Sequence, residues 1–329
     1  MPKLPKQFAS VADKALMRDI ESRMELVEKR ILEATAHAEK TVDTIASHLA
    51  RAGGKRMRPV LVLLTSHLGD STRDEVLDAA VVMEITHLAT LYHDDVMDQA
   101  ETRRGVDTAH TVWGNNMAIL VGDLLFARAS NIVSHLGEEA LKLQAEVFEQ
   151  LVLGQLHETL GPGDDDPLEH YLQVVLDKTG SLIALSARLG ALLAGADKKY
   201  QEPLRLFGER IGVAFQLADD LIDIRASQAE SGKVAGTDIL AGVPTLPALL
   251  LANHQDEDSR QLAADIAAAN ETTIGEVLER LRSHLVMAEA DRITVQWAED
   301  AIAAISTLPD GSVKSALAAF AKAVVERKG

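Results

Sequence analysis

The chain has 329 residues, with 33 basic and 50 acidic side chains and a formal charge of −17, and aromatics make up only 3% of it against 47% hydrophobic residues overall. It carries no cysteine, which excludes disulfides, thiolate metal sites and a cysteine nucleophile and fits a reducing compartment. The acidic balance argues against nucleic acid as a partner, because duplex affinity rests on phosphate neutralisation by Lys and Arg. Any anion this chain handles needs a local basic patch or bound cations.

In chain order, Met1 to Met24 carries charges throughout and offers no apolar core for a signal peptide. Val11, Leu16, Ile20, Met24, Leu26 and Ile31 then recur at helical spacing, with Ser10 as the expected N-cap and Asp13 three residues on. Gly53-Gly54 separates helical patterns at 36–50 and 58–69, and further patterns run over 73–99, 115–136 and 138–160. A loop at Gly161-Pro162-Gly163 with Asp164 to Asp166 precedes patterns at 168–195 and 200–226. Ser231 to Pro247 is a Gly/Pro-bearing break, and 258–328 is again helical in period. Alternating strand patterns and Asn-Gly hairpin signals are missing. The longest apolar stretches, Met117–Ala129 and Leu182–Ala196, are interrupted by Asp123, Arg128 and Arg188, short of the roughly 18–20 uninterrupted residues of a membrane span. The expectation is an all-α, cytoplasmic chain forming one domain over 1–329, without a transmembrane segment.

Two acidic clusters stand out. Asp94-Asp95-Val96-Met97-Asp98 and Asp219-Asp220-Leu221-Ile222-Asp223 both read D-D-x-x-D, each inside an apolar helical pattern. The first and last aspartates lie at i and i+4, on one face of a helix, where like charges repel by a few tenths of a kcal/mol. Cations over that face would supply the missing rationale. A similar string, Asp165-Asp166-x-x-Glu169, follows Gly-Pro-Gly and reads as a solvated turn with an N-cap. Carboxylate oxygens without His or Cys select hard cations, chiefly Mg²⁺ or Mn²⁺, which complete their shells with water and substrate phosphate. Such metals would let an acidic site grip an anion. Arg51, Lys55, Arg56 and Arg58 around Gly53-Gly54 read as a phosphate cradle, and Arg103-Arg104 follows Asp98.

These strings together resemble the trans-prenyltransferases of the polyprenyl diphosphate synthase family. Gly53-Gly54-Lys55-Arg56-Met57-Arg58-Pro59 matches its G-G-K-R-x-R-P, and Asp94 to Asp98, four residues and Arg103-Arg104-Gly105 match its first aspartate-rich motif. Gly212 to Asp223 resembles the second motif, Lys178-Thr179-Gly180 the K-T-G element, and Gly236-Thr237-Asp238 with Thr245-Leu246-Pro247 the tail. The motifs cover about 51–247, leaving helices without identifiable chemistry over 255–329. One departure is Val243, where the family's G-K-x-T-x-P carries a basic residue. Weaker diphosphate contact is expected there.

The resemblance implies an isoprenoid synthase fold of ten or more helices around a central cavity, acting as a homodimer with loose membrane association for product release. It implies Mg²⁺-dependent condensation of isopentenyl diphosphate with an allylic prenyl diphosphate, with Mn²⁺ as a substitute. Asp94, Asp98 and Asp219 would bind about three Mg²⁺ ions, supported by Asp95, Asp220 and Asp223. Arg103, Lys178 and Lys233 would take the allylic diphosphate, while Lys55, Arg58, His87 and Arg104 would hold isopentenyl diphosphate. Thr179 and Gln216 would lie near the reacting carbons.

Product length follows from the helix before Asp94. Thr90, Ala89, Thr86 and Val82 would face the growing tail, Ala89 about 7.5 Å and Val82 about 18 Å from Asp94 along the axis. Short-chain members place an aromatic floor there, and Ala and Thr predict an open tunnel and a long all-trans product. The rival readings are a farnesyl or geranylgeranyl diphosphate synthase, a terpene cyclase, whose second motif Asp219 to Asp223 does not match, and a non-catalytic helical partner subunit. Glu84-Ile85-Thr86-His87 is a Glu-x-x-His, but a helical di-iron site requires two and no second is found. His87 is better read as a substrate ligand or a core histidine.

Overall fold

The computed structural model describes residues 13–225 and 235–326. Ser10, Val11, Lys233 and the start of the Ser231–Pro247 break lie outside the described residues. The first described helix, α1 (Lys14–Thr35), is capped by Asp13, whose carboxylate accepts from the Ala15 amide at 2.8 Å. It is followed by α2 (Lys40–Arg51), α3 (Met57–Ser66) and α4 (Asp74–Met97).

The described chain also holds a feature that the sequence pattern did not announce, an antiparallel pair of β1 (Thr102–Arg103) and β2 (Val106–Asp107). Its turn is Arg104-Gly105, both at positive φ (55° and 78°), the backbone of a tight hairpin turn. Asn-Gly usually signals that turn; here an arginine takes the left-handed position, which costs a non-glycine residue energy that must be recovered elsewhere.

Beyond the hairpin run α5 (Ala109–Trp113), α6 (Asn115–Val133), α7 (Glu138–Leu160) and α8 (Pro167–Val175). Asp166 caps α8 by accepting from the Leu168 and Glu169 amides, so the third acidic string is a helix cap, as its loop setting suggested. The pattern at 168–195 is interrupted by a π-helical turn over Leu176–Gly180 before α9 (Ser181–Leu193). After a 3₁₀ turn at Lys198–Tyr200 come α10 (Gln201–Arg225), α11 (Thr237–Leu240) and α12 (Leu246–Leu251). The long pattern 258–328 resolves into α13 (Glu257–Ala267), α14 (Ile274–Ser283), α15 (Val286–Ala304) and α16 (Ser312–Val325).

The helices pack as two compact units. One gathers the residues up to Phe148, Leu182–Arg205 and Thr307–Ala319; the other gathers Glu149–Ser181, Leu206–Ser306 and the chain from Phe320. In the first, α4 is buried nearly all round, with Val76, Ala80, Met83, Ile85, Leu88 and Tyr92 in the core, so it shows little amphipathic character. In the second, Val213, Leu217, Leu221 and Ile224 of α10 pack with Leu246 and Leu250 of α12, Leu278 of α14 and Met287 of α15.

By length and composition α6 is apolar enough to cross a membrane despite Asp123 and Arg128, which differs from the sequence reading; a third of its apolar window is buried in the fold. It lies against α4 at Gly122, whose missing Cβ makes room for the His93 ring. Glycine is required again on α9, where a Cβ at Gly190 would run into the Val62 carbonyl and the Thr65 hydroxyl of α3. Gly190→Val should therefore cost about 1–3 kcal/mol of stability. A thermal melt that coincides with wild type would show that the helices part without strain.

Candidate active site

Each D-D-x-x-D string sits at a helix site, and each divides its carboxylates in the same way. In the first, Asp95 is buried, while Asp94 is half-buried and Asp98, the residue that ends α4, is exposed. In the second, Asp220 is buried, while Asp219 and Asp223 are half-buried. The i and i+4 carboxylates thus remain reachable from solvent, and the second aspartate of each string turns inward.

A carboxylate taken from water needs donors. Asp95 accepts from Arg103 Nε at 2.7 Å, a pairing that the β1–β2 hairpin makes by folding Arg103 back onto α4. Burial raises its pKa, and the Arg103 guanidinium pulls it back. Asp220 accepts from the Tyr171 hydroxyl of α8, from Gln216 Nε2 at 3.2 Å and from the Leu246 amide of α12 at 3.2 Å. Burial pushes its pKa up to about 7 against those three hydrogen bonds. Asp223 accepts from the Asp238 amide at 3.2 Å and so ties the Gly236-Thr237-Asp238 turn to α10.

The basic cluster differs from its expected form. Arg56 is buried, bonded to Glu28 and Glu84 at 2.7 Å each and to the Gly53 and Ala50 carbonyls, so it is a structural group with no reach for phosphate. Arg104 donates to the Gly53 and Leu49 carbonyls and lies 3.6 Å from Glu84. A Cβ on Gly54 would stand 2.7 Å from its guanidinium carbon. Gly53-Gly54 is therefore the seat of a guanidinium, where a phosphate cradle was expected. Glu84 is the residue that sequence reasoning undervalued: with its side chain 2% exposed, it is the buried anion around which these arginines gather. Its Glu-x-x-His was set aside as a di-iron motif for want of a second, and its carboxylate is taken by Arg56 and Arg104.

Lys55 is exposed, and Arg58 is half-buried. Burial lowers the Arg58 pKa to about 10, with Glu84 and Asp94 opposing, so it is charged at neutral pH. His87 is pushed well below the ordinary histidine value by burial and then by Arg58, Arg104, Arg103 and Arg56. It is a neutral imidazole, which offers a hydrogen bond and no charge.

Val82, Thr86, Ala89 and Thr90 are all buried on α4. Thr90 Oγ1 donates to the His87 carbonyl at 2.8 Å, while Thr86 Oγ1 has no hydrogen-bond partner. His93, at i+3 and i+4 from Thr90 and Ala89, shares their face. Its ring lies 5.7 Å from Phe126 of α6, which lies 4.6 Å from Phe148 of α7. Phe126 meets His93 from another helix, with Phe148 against it from a third, so a search of the residues before Asp94 could not find them.

In the second unit, Lys178 and Thr179 occupy the π turn and line a cavity of about 300 Å³ together with Gln216, Asp220, Tyr171 and Val243. Lys178 Nζ is ion-paired with Glu158 Oε2 of α7.

The helical fold is shared with solved prenyl diphosphate synthases. The geranylgeranyl pyrophosphate synthase from Corynebacterium glutamicum, solved with calcium and isoprenyl diphosphate, superposes with a TM-score of 0.87 at 40% identity, over 97% of this chain and 99% of that one. A decaprenyl diphosphate synthase from Rhodobacter capsulatus gives 0.85 at 28% identity, over 95% and 98%. Residues 39–284 match the polyprenyl synthetase family model, and the chain belongs to that family. It is a prenyltransferase that elongates prenyl diphosphates. Among its relatives, the nonaprenyl diphosphate synthase of Mycobacterium tuberculosis is 43% identical over 296 residues, 89% of this chain and 88% of that protein.

The raised Asp220 pKa fixes a pH dependence. A proton held in the folded state and lost in the unfolded one stabilises below the ordinary aspartate value of 3.8, and that contribution disappears as pH rises through about 7. In metal-free buffer, wild type should lose Tm relative to Asp220→Asn across that window. Parallel curves would mean that burial does not shift the titration of this carboxyl in the folded state.

Proposed function

We propose that the chain condenses isopentenyl diphosphate with an allylic prenyl diphosphate, repeatedly, to a long all-trans polyprenyl diphosphate. The observation that carries this reading is the common build of the two acidic strings. Each offers two outward carboxylates one helical turn apart and anchors the third inside. The donor set is carboxylate oxygen, which suits Mg²⁺, with Mn²⁺ as a substitute. Among the described residues no three acidic or imidazole groups form a closed metal cluster. Mg²⁺ keeps several waters and takes substrate phosphate in place of a full protein cage. The calcium and isoprenyl diphosphate in the Corynebacterium structure support the same pairing of cation and anion.

Asp94, Asp98 and Asp219 would hold the ions, about three by the family pattern. Ions held by these carboxylates would supply charge neutralisation for the departing diphosphate. Arg103, aimed by Asp95, and Lys178 add cationic donors to the allylic diphosphate, joined by Lys233. Arg58, Lys55 and Arg104 hold isopentenyl diphosphate, and His87 donates a hydrogen bond. Gln216, fixed by Asp220, and Thr179 line the region of the reacting carbons, and no side-chain base is required. The family model runs through both units, and we treat 1–329 as one functional domain.

A cytoplasmic homodimer is the assembly we favour. On α7, Leu141, Phe148, Val152 and Leu156 line one exposed face, with Leu160 at its end 79% exposed, and apolar surface of this kind suits cover by a second copy. Ile119 and Leu120 of α6 are exposed as well. A short product is the second reading, because His93, Phe126 and Phe148 place aromatic rings on the face that Ala89 and Thr90 leave open.

Asp94→Ala or Asp219→Ala should lower kcat at least about 10²-fold; near-normal Mg²⁺-dependent turnover in either would overturn the assignment. Chromatography of products from labelled farnesyl diphosphate and isopentenyl diphosphate should show long chains, and Ala89→Phe should shorten them. An unchanged profile in that variant removes Ala89 from the tunnel.

A further inference from the structure

Helix α7 and the π turn are joined at successive turns of one helix face. Gln150 Nε2 donates to Asp177 Oδ1 at 2.7 Å. Four residues on, Gly154 lets the two backbones close, since a Cβ there would lie 2.8 Å from Asp177 Cβ and 3.1 Å from the Lys178 amide nitrogen. Four residues further, Glu158 meets the Lys178 ammonium. The Glu158 carboxylate is itself steadied by Gln155 Nε2 at 2.9 Å. Sequence spacing of 150, 154 and 158 thus brings a carboxylate to the lysine that the proposed function assigns to the allylic diphosphate.

Among the described residues that line the cavity, the carboxyl groups outnumber the cationic ones. Glu158, Asp220 and Asp238 line the cavity, whereas Lys178 is the one Lys or Arg among its described lining residues. Val243 and Pro244 contribute only aliphatic surface. A bare diphosphate arriving at Lys178 has to displace one carboxylate and then sit close to it, with repulsion that a local charge-neutralising cation removes.

We propose that Glu158 is an internal counter-ion that withholds Lys178 from metal-free diphosphate, so that the anion is admitted only together with a divalent cation. The inference rests on the functional reading above and adds Glu158 as a residue that sets which form of the anion binds. It concerns binding, and it can be read without turnover.

Calorimetric titration of inorganic pyrophosphate into the full-length protein, with metal chelated, is the test. Glu158→Gln should bind about tenfold tighter than wild type, the effect of removing one adjacent like charge. Glu158→Ala, which also frees Gln155, should gain similarly. The gain should vanish when Lys178→Gln is added to Glu158→Gln, and it should shrink to about twofold or less when Mg²⁺ is supplied. Metal-free affinity no higher in both Glu158 variants, or a gain that survives loss of Lys178, overturns the proposal. Absence of any turnover by wild type with Mg²⁺, isopentenyl diphosphate and an allylic diphosphate would count against the functional reading instead. The chelated titration would then decide the role of Glu158 by itself.

Discussion

A buried carboxylate must be met by donors, and the second aspartate of each acidic string uses that requirement to organise its surroundings. Asp95 recruits Arg103 and thereby fastens the hairpin to the end of α4. Asp220 recruits a hydroxyl from α8, an amide from its own helix and a backbone N–H from the start of α12. Neither residue is placed to act mainly as an outward ligand. Each fixes the direction in which its neighbours at the first and fifth positions of the string point. Precise aim matters more than strength for ligands that must share a cation with substrate oxygens.

Glu84 plays a parallel part for cations. One carboxylate with a 2% exposed side chain holds Arg56 at 2.7 Å and Arg104 at 3.6 Å. Arg58 lies within its electrostatic reach, and its pKa is lowered by burial while Glu84 opposes the shift. Removing one member of such a buried set leaves the others uncompensated, which is why ionic clusters of this kind tend to be all or none. Burial first, and then the same field of guanidinium groups, lowers the His87 pKa. A basic string in sequence thus separates into roles: Arg56 internal, Lys55 exposed, Arg58 and Arg104 between.

Much of this was legible in the sequence. Helical period placed α7 and α10 to within a residue at most of their ends, and the i, i+4 spacing within D-D-x-x-D sets the outer aspartates one helical turn apart. The misses have identifiable causes. Four C-terminal helices merged into one pattern: the breaks at Ala268 to Thr273 and His284-Leu285 carry no Gly or Pro, while the Pro309-Asp310-Gly311 turn signal in the third break, Ile305 to Gly311, was passed over. The hairpin was invisible because its turn uses Arg104, whose left-handed backbone is secured by its own side-chain hydrogen bonds to the loop at Gly53. Glu84 was given no role because spacing records which residues share a face and says nothing about the cation that arrives there from elsewhere in the chain. The Phe126 and Phe148 rings were missed for the same reason.

The π turn at Leu176–Gly180 has a broader consequence. Such a turn houses one residue more than an α-helix of equal rise, and it is found often at functional sites and seldom elsewhere. Deleting that residue would alter the register between α8 and the residues that follow the turn. What deletion would change is phase: everything from Lys178 onward would rotate by about 100° relative to α8. The surplus residue acts as a phase shifter between a helix committed to the core and the lysine and threonine presented to the cavity.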